Sequence, residues 1–130
     1  MYSPRGRILC TENNPDAREL IVFMLEAEGY FVTATESSTD ALVLFEQEQF
    51  DLLLVDNWMP GLSGAELTRE VRKFNQITPI LFYSAAAYEA NKVEAYEAGA
   101  QGYLVKPEGI DHLVGEVARL IVENQNCHSE

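Results

Sequence analysis

The stretch Phe50-Asp51-Leu52-Leu53-Leu54-Val55-Asp56-Asn57-Trp58-Met59-Pro60-Gly61-Leu62-Ser63-Gly64 changes character after Val55. Leu52 to Val55 is a short apolar run, the length and composition of a strand buried on both faces, and it stops on a carboxylate. The residues beyond Asp56 cannot continue a strand: Pro60 has no N–H to donate, and Gly61 and Gly64 allow backbone angles that other residues resist. Asp56 is therefore expected at the carboxyl end of a central strand, where open α/β sheets place their ligands. An aspartate there can equally do no more than cap a loop, so the rest of the chain has to decide.

Working outward, strands alternate with helices. Arg7 to Thr11 reads as a first strand, and Glu12 to Asp16 as a turn opening a helix. Asn14 is a good N-cap, Pro15 suits the first helical position, and Asp16 and Glu19 favour the positive end of the helix dipole. Ala17, Leu20, Ile21, Met24 and Leu25 recur at helical spacing up to a stop at Gly29. Tyr30 to Thr35 is a second strand, and Ser38 or Thr39 can cap a helix whose inner face includes Leu42 and Phe45. After the central strand, Gly64 leads into a helix carrying Leu67, Val71 and Phe74, and a fourth strand runs from Thr78 to Tyr83. Ala85 to Ala98 forms a fourth helix stopped by Gly99, and Gln101 to Val105 a fifth strand closed by Lys106-Pro107. Ile110, Leu113, Val114, Val117, Leu120 and Ile121 give the last helix its apolar face. Five strands alternating with five helices imply a parallel sheet covered on both sides. One domain spans residues 1–130, with a core over about 6–123 and a polar tail, Asn124 to Glu130, expected to fray.

The 130 residues suffice for one hydrophobic core, with 47% apolar and 23% charged residues. The net charge of −12 argues against direct nucleic acid or anionic lipid binding. No apolar run approaches the ~20 residues of a membrane span, and Met1 to Arg5 has no apolar core like that of a signal peptide. A cytoplasmic protein is expected. Cys10 in the first strand and Cys127 in the tail have neither metal nor disulfide spacing.

The residues at the carboxyl ends of the strands are chemically coherent. Glu12 and Asn13 come after the first, Asp56 after the third, Ser84 after the fourth and Lys106 after the fifth. Oxygen ligands, a hydroxyl and an amine along one edge are what phosphoryl transfer to a carboxylate needs. One carboxylate attacks phosphorus, a hard cation bridges oxygens, and an amine and a hydroxyl hold the remaining ones.

In these residues the chain resembles the receiver domains of two-component response regulators over nearly its whole length. The carriers are the acidic position Glu12, Asp56-Asn57-Trp58-Met59-Pro60-Gly61 with Gly64, then Ser84-Ala85 and Lys106-Pro107. The resemblance implies a flavodoxin-like sheet of strand order 2-1-3-4-5. It implies that Asp56 accepts a phosphoryl group from a histidine kinase or phosphotransfer protein, with Lys106 pairing its oxygens and Ser84 bonding one of them. It further implies Mg²⁺ held by Glu12, Asn13, Asp56 and the Trp58 backbone carbonyl, a cis Lys106-Pro107 bond, and a switch in which Tyr103 changes rotamer with Ser84. Such a domain is no enzyme beyond Mg²⁺-assisted phosphotransfer to its own aspartate. Its output passes to a downstream protein target or output domain through the face formed by the fourth helix, fifth strand and fifth helix, and homodimers through that face are open to the family. Ser84 can also serve as an N-cap, Tyr103 as ordinary packing, and the Trp58 side chain as a shield over Asp56 or as loop packing.

One position departs from the family pattern. The second member of the acidic pair is Asn13, which keeps a carbonyl oxygen but lacks a charge, so weaker Mg²⁺ binding is expected. The alternative reading is a phosphorylation-independent receiver, a constitutive protein-interaction module using the same face. A flavin-binding flavodoxin is disfavoured, because Glu12 to Asp16 lacks the Gly, Ser and Thr residues that cradle a phosphate. With some twenty residues after Lys106, both a stand-alone receiver and a piece of a longer regulator remain open.

Overall fold

Alternate residues of each strand feed two separate cores, and that alternation fixes where the sheet sits. The computed structural model describes residues 5–107 and 110–128. The order is β1 (Arg7–Thr11), α1 (Pro15–Ala27), β2 (Phe31–Thr35), α2 (Ser38–Gln47), β3 (Leu52–Val55), α3 (Gly64–Arg72), β4 (Ile80–Ser84), α4 (Glu89–Ala98), β5 (Gly102–Val105) and α5 (Ile110–His128). The five strands form one sheet ordered β2-β1-β3-β4-β5, with every neighbouring pair parallel. This is the flavodoxin-like doubly wound architecture that the resemblance implied.

On one face, Ile8, Cys10, Leu52, Leu54 and Leu81 pack with Ile21 and Leu25 of α1 and Leu113, Val117 and Ile121 of α5. On the other, Leu9, Leu53, Val55, Ile80 and Phe82 meet Phe45 of α2, Leu67 and Val71 of α3 and Ala95 of α4. Leu52 to Val55 are all buried, as a central strand covered on both sides requires. At ~25 cal/mol per Å² of apolar surface, these two layers are the main source of stability.

Several boundaries differ from the sequence reading. The cap of α2 is Ser37, whose Oγ accepts the Asp40 N–H at 3.3 Å, and not Ser38 or Thr39. Ser38 is buried instead, donating to the Pro60 carbonyl at 2.9 Å and accepting the Leu62 N–H at 2.7 Å. It thereby pins the loop after β3 to the start of α2. Phe74 lies beyond the end of α3, half exposed, with its ring 6.2 Å from that of Phe45. Helix α4 begins at Glu89, four residues later than expected, because both backbone groups of Ala86 are engaged elsewhere: its N–H by Ser84 Oγ and its carbonyl by the Tyr103 hydroxyl. The Asn91 side chain then accepts the Tyr88 N–H at 3.2 Å, and the helix starts there.

The expected frayed tail is a correction of larger scale. Helix α5 runs 19 residues to His128, so Asn124 to His128, Cys127 included, are helical. No Gly or Pro interrupts Glu116 to His128, and Arg119 bridges Glu116 and Glu123 one turn to either side, at 2.8 and 2.9 Å. Ser129 and Glu130, the last two residues of the expected tail, lie outside the described residues.

Candidate functional site

The carboxyl ends of β1, β3 and β5 bring three charged side chains together. Lys106 Nζ donates to Glu12 Oε1 at 2.7 Å and to Asp56 Oδ2 at 2.9 Å. Both carboxylates are withdrawn from solvent, Glu12 to 2% and Asp56 to 8% exposure. One ammonium thus faces two buried carboxylates, and the trio carries a net charge of −1. Burial pushes the Glu12 carboxyl above its ordinary value, opposed by its bonds from Lys106 and the Asn14 N–H. Burial pulls the Lys106 ammonium down, but its bonds to Glu12 and Asp56 outweigh that and raise it.

Local sequence explains why these groups are so placed. The Asp56 N–H donates to the Thr11 carbonyl, extending the β1–β3 ladder to the point where the two acids emerge. Asp56 Oδ1 accepts the Trp58 N–H at 3.2 Å, a turn that fixes the carboxylate against its own loop. Gly64 starts α3 directly against this loop: a Cβ there would lie 2.8 Å from the Asp56 carbonyl oxygen and 2.8 Å from Phe82 Cε2. The residue must be glycine for steric reasons, since neither neighbour can give way without moving backbone or a buried ring. On the other strand end, the cis Lys106-Pro107 bond comes directly after β5, as the resemblance implied.

The remaining expected residues are distributed around this trio. Ser84 is fully buried at the end of β4, its Oγ accepting the Ala86 N–H at 3.1 Å. It ends a strand and holds a loop; it does not cap α4. Tyr103 lies inward, its ring stacked on Phe82 at 5.5 Å and its hydroxyl donating to the Ala86 carbonyl. Burial raises the Tyr103 phenol above its ordinary value, with a bond to Ser84 acting the other way. Ser84 and Tyr103 therefore meet at the same short loop. Asn13 is exposed at the mouth of the site, and its carbonyl and that of Glu12 both accept from Arg18, at 3.5 and 2.9 Å. Trp58 is 60% exposed, so its side chain does not pack into the protein beneath the loop.

Sequence reasoning missed three contributors. Arg18 holds the Glu12–Asn13 turn from α1, Ala86 supplies the backbone groups that link Ser84 to Tyr103, and Asn57 is buried beside Asp56. Only Arg18 was visible in principle, as a cation one helical turn after the N-cap.

The donor set suits a hard divalent ion. Glu12 and Asp56 offer carboxylate oxygens, Asn13 an amide oxygen and the loop its carbonyls, and the net charge of the trio is negative. Among the described residues no three Asp, Glu, His or Cys side chains converge, which leaves two carboxylates and neutral oxygens. Mg²⁺ commonly takes one or two carboxylates and retains waters, so the residues fit it.

Comparison with known proteins identifies the family. The model of the response regulator receiver domain matches residues 8–118. The chain belongs to the receiver domain family of response regulators. It is 34% identical to the transcriptional regulatory protein ResD of Bacillus subtilis over 88% of its own length, spanning 48% of that protein. It is 38% identical to an uncharacterised 14.6 kDa protein of Leptolyngbya boryana, covering 88% of this chain and 86% of that one. Among solved structures, the response regulator TrrA of Thermotoga maritima, in complex with Mg²⁺ and BeF, superposes with a TM-score of 0.80. The two share 32% identity, over 88% of this receiver and 97% of TrrA. The receiver spans about half the length of ResD and of several other transcriptional regulators it matches. Among its described residues no helix is long and apolar enough to cross a membrane.

Proposed function

We propose that this receiver is a phosphorylation switch in which Asp56 accepts a phosphoryl group from a histidine kinase or phosphotransfer protein. The observation that carries the reading is the Lys106 ammonium lodged between the Glu12 and Asp56 carboxylates at the carboxyl edge of the sheet. An Asp56 carboxylate oxygen attacks phosphorus, forming the P–O bond as the P–N bond to the donor imidazole breaks and its electron pair returns to the ring. Lys106 is already within reach of Asp56 and turns its N–H donors to the incoming phosphoryl oxygens, leaving Glu12 as its second partner. Glu12, Asn13, Asp56 and the Trp58 carbonyl would hold Mg²⁺, which supplies charge neutralisation for the phosphoryl oxygens. The Ser84 hydroxyl, on moving toward Asp56 to donate to a phosphoryl oxygen, draws its Oγ from the Ala86 N–H, and Tyr103 is tied to the same residue through its carbonyl. Modification thus loosens the loop before α4 and alters the face formed by α4, β5 and α5, where a downstream target, an output domain or a second copy docks. The receiver turns over no other substrate, and a histidine kinase as donor places it in the cytoplasm.

A second reading has its own observation. Asn13 stands exposed and neutral where a third carboxylate would complete the metal set, which suits a constitutive interaction module that works without phosphate. One experiment separates them. Fluoroberyllate binding at millimolar Mg²⁺ is monitored through Trp58, whose exposed indole lies on the Asp56 loop. The switch predicts Mg²⁺-dependent binding that is abolished in Asp56→Ala and tightened about tenfold in Asn13→Asp. Absence of binding in the native protein, with recovery in Asn13→Asp, would establish the module instead.

A further inference from the structure

The edge of the sheet opposite β5 is formed by β2, whose Phe31 and Ala34 are exposed. Among the described residues, β2 has β1 as its one strand neighbour. Phe31 donates its N–H to Gly6 and Thr35 accepts from Glu12, so the odd-numbered residues bond inward and Val32 and Ala34 turn their N–H and C=O away from β1. Exposed edges are ordinarily blunted by charge, proline or a bulge. Phe31-Val32-Thr33-Ala34-Thr35 has none of these and consists mainly of strong strand formers.

Two open clefts flank this edge and share Arg18 and Ala34. One, of about 310 Å³, lies against α1 and is lined by Glu19, Val22, Phe23 and Glu26. The other, of about 570 Å³, lies against α2 and is lined by Glu36, Asp40, Val43 and Leu44. Phe23 is 71% exposed and Val43 is 49% exposed, so each cleft has an apolar wall facing solvent. The rims carry Glu19, Glu26, Glu36 and Asp40 against Arg18, the single cation among the lining residues, which is itself paired with Glu36 at 3.6 Å.

We infer that the β2 edge is a docking site for an extended segment of a partner protein in which basic and apolar side chains alternate. Such a segment adds a sixth strand beside β2, its main chain bonding to Val32 and Ala34. Its apolar side chains, all on one face of the added strand, enter the cleft against α1 beside Phe23, and its Lys or Arg side chains, on the other face, meet Glu36 and Asp40 in the cleft against α2. The charge selects this occupant over a second copy of the chain, whose own rims would bring like charges face to face. The site borders the Glu12–Asn13 turn through Arg18 and Thr35, yet uses none of the side chains proposed to take or hold the phosphoryl group.

The test uses the intact protein and the peptide acetyl-Lys-Val-Lys-Val-Lys-Val-Lys-amide. Amide hydrogen exchange by NMR should show protection at Val32 and Ala34, with saturable binding at submillimolar peptide. The same peptide N-methylated at alternate residues keeps its charge and side chains but cannot pair, and should bind at least tenfold more weakly. Glu36→Lys with Asp40→Lys, both on the cleft that the lysines face, should weaken the unmethylated peptide at least tenfold as well. Equal binding of the methylated peptide, or no effect of the charge reversal, would overturn the inference. So would protection of Val32 and Ala34 that rises with protein concentration alone, since that would make a second copy the occupant.

Discussion

Replacing Lys106 with Met tests the site's electrostatics directly. Methionine retains most of the apolar stem, whose end lies near the Tyr83 ring, but deletes the ammonium that bonds Glu12 and Asp56. Removing one partner of a buried ion pair costs about 3–5 kcal/mol, because the remaining charge stays desolvated. Here each carboxylate keeps one backbone donor, Asn14 N–H for Glu12 and Trp58 N–H for Asp56, which places the expectation at the lower end, about 3 kcal/mol. With a urea m-value of about 2 kcal/mol per M, the midpoint should fall by about 1.5 M. The loss should also depend on pH. The Glu12 carboxyl is raised above 4.5 in the fold, so the folded state binds more protons there than the unfolded chain. Its contribution therefore falls as pH rises through that window and is recovered on acidification toward 4.5. Without Lys106 the window extends upward, so the deficit of the variant is largest near pH 8 and narrows toward pH 5. At the alkaline end, the raised Lys106 contributes stability that is present below 10.5 and lost as pH rises through its folded value, where the deficit narrows again. Urea unfolding monitored by far-UV circular dichroism at several pH values measures both. A loss below about 1 kcal/mol, or one identical at pH 5 and pH 8, would refute the assignment of a buried, mutually dependent trio.

Three further outcomes rest on particular contacts. Gly64→Ala forces a Cβ to 2.8 Å from the Asp56 carbonyl and from Phe82, and should cost about 1–3 kcal/mol while weakening fluoroberyllate binding; thermal melts and titration check each part. Thr11→Val removes the one buried side-chain oxygen among the described residues that lacks a hydrogen-bond partner, and should raise stability by about 1 kcal/mol, seen as a higher Tm. Cys10, pushed up to about 12 by burial and by Glu12, should resist Ellman's reagent at pH 8 in a Cys127→Ser background until the protein is unfolded; prompt labelling of the native protein would contradict its placement.

The fold was legible because its signals are periodic and redundant. Leu52 to Val55 could hardly be anything but a two-sided strand, and Gly29, Gly99 and Lys106-Pro107 punctuate their elements as local chemistry dictates. The strand-end residues Glu12, Asp56, Ser84 and Lys106 could be placed on one edge from the βα alternation alone. What the sequence concealed was decided by tertiary bonds. Residues 85–88 have the helix propensity to continue α4 upstream, yet Ser84 and Tyr103 claim the backbone of Ala86. Ser38 looked like a cap and is a buried strut for the loop after β3. Asn124 to His128 looked like a tail, since helix propensity is weak there, and polar composition alone does not reveal a helix already nucleated by the packed turns before it.

The bond between Lys106 and Glu12 joins residues separated by 94 positions, and that to Asp56 spans 50. No stretch of chain shorter than most of the domain contains the trio. Its geometry is consequently a readout of completed folding: until β5 has docked beyond β4, the acid at the end of β3 has no lysine. A copy caught half made, clipped or thermally opened presents an ordinary aspartate, so under the proposed switch closure of the sheet would act as a quality check on competence to accept a phosphoryl group.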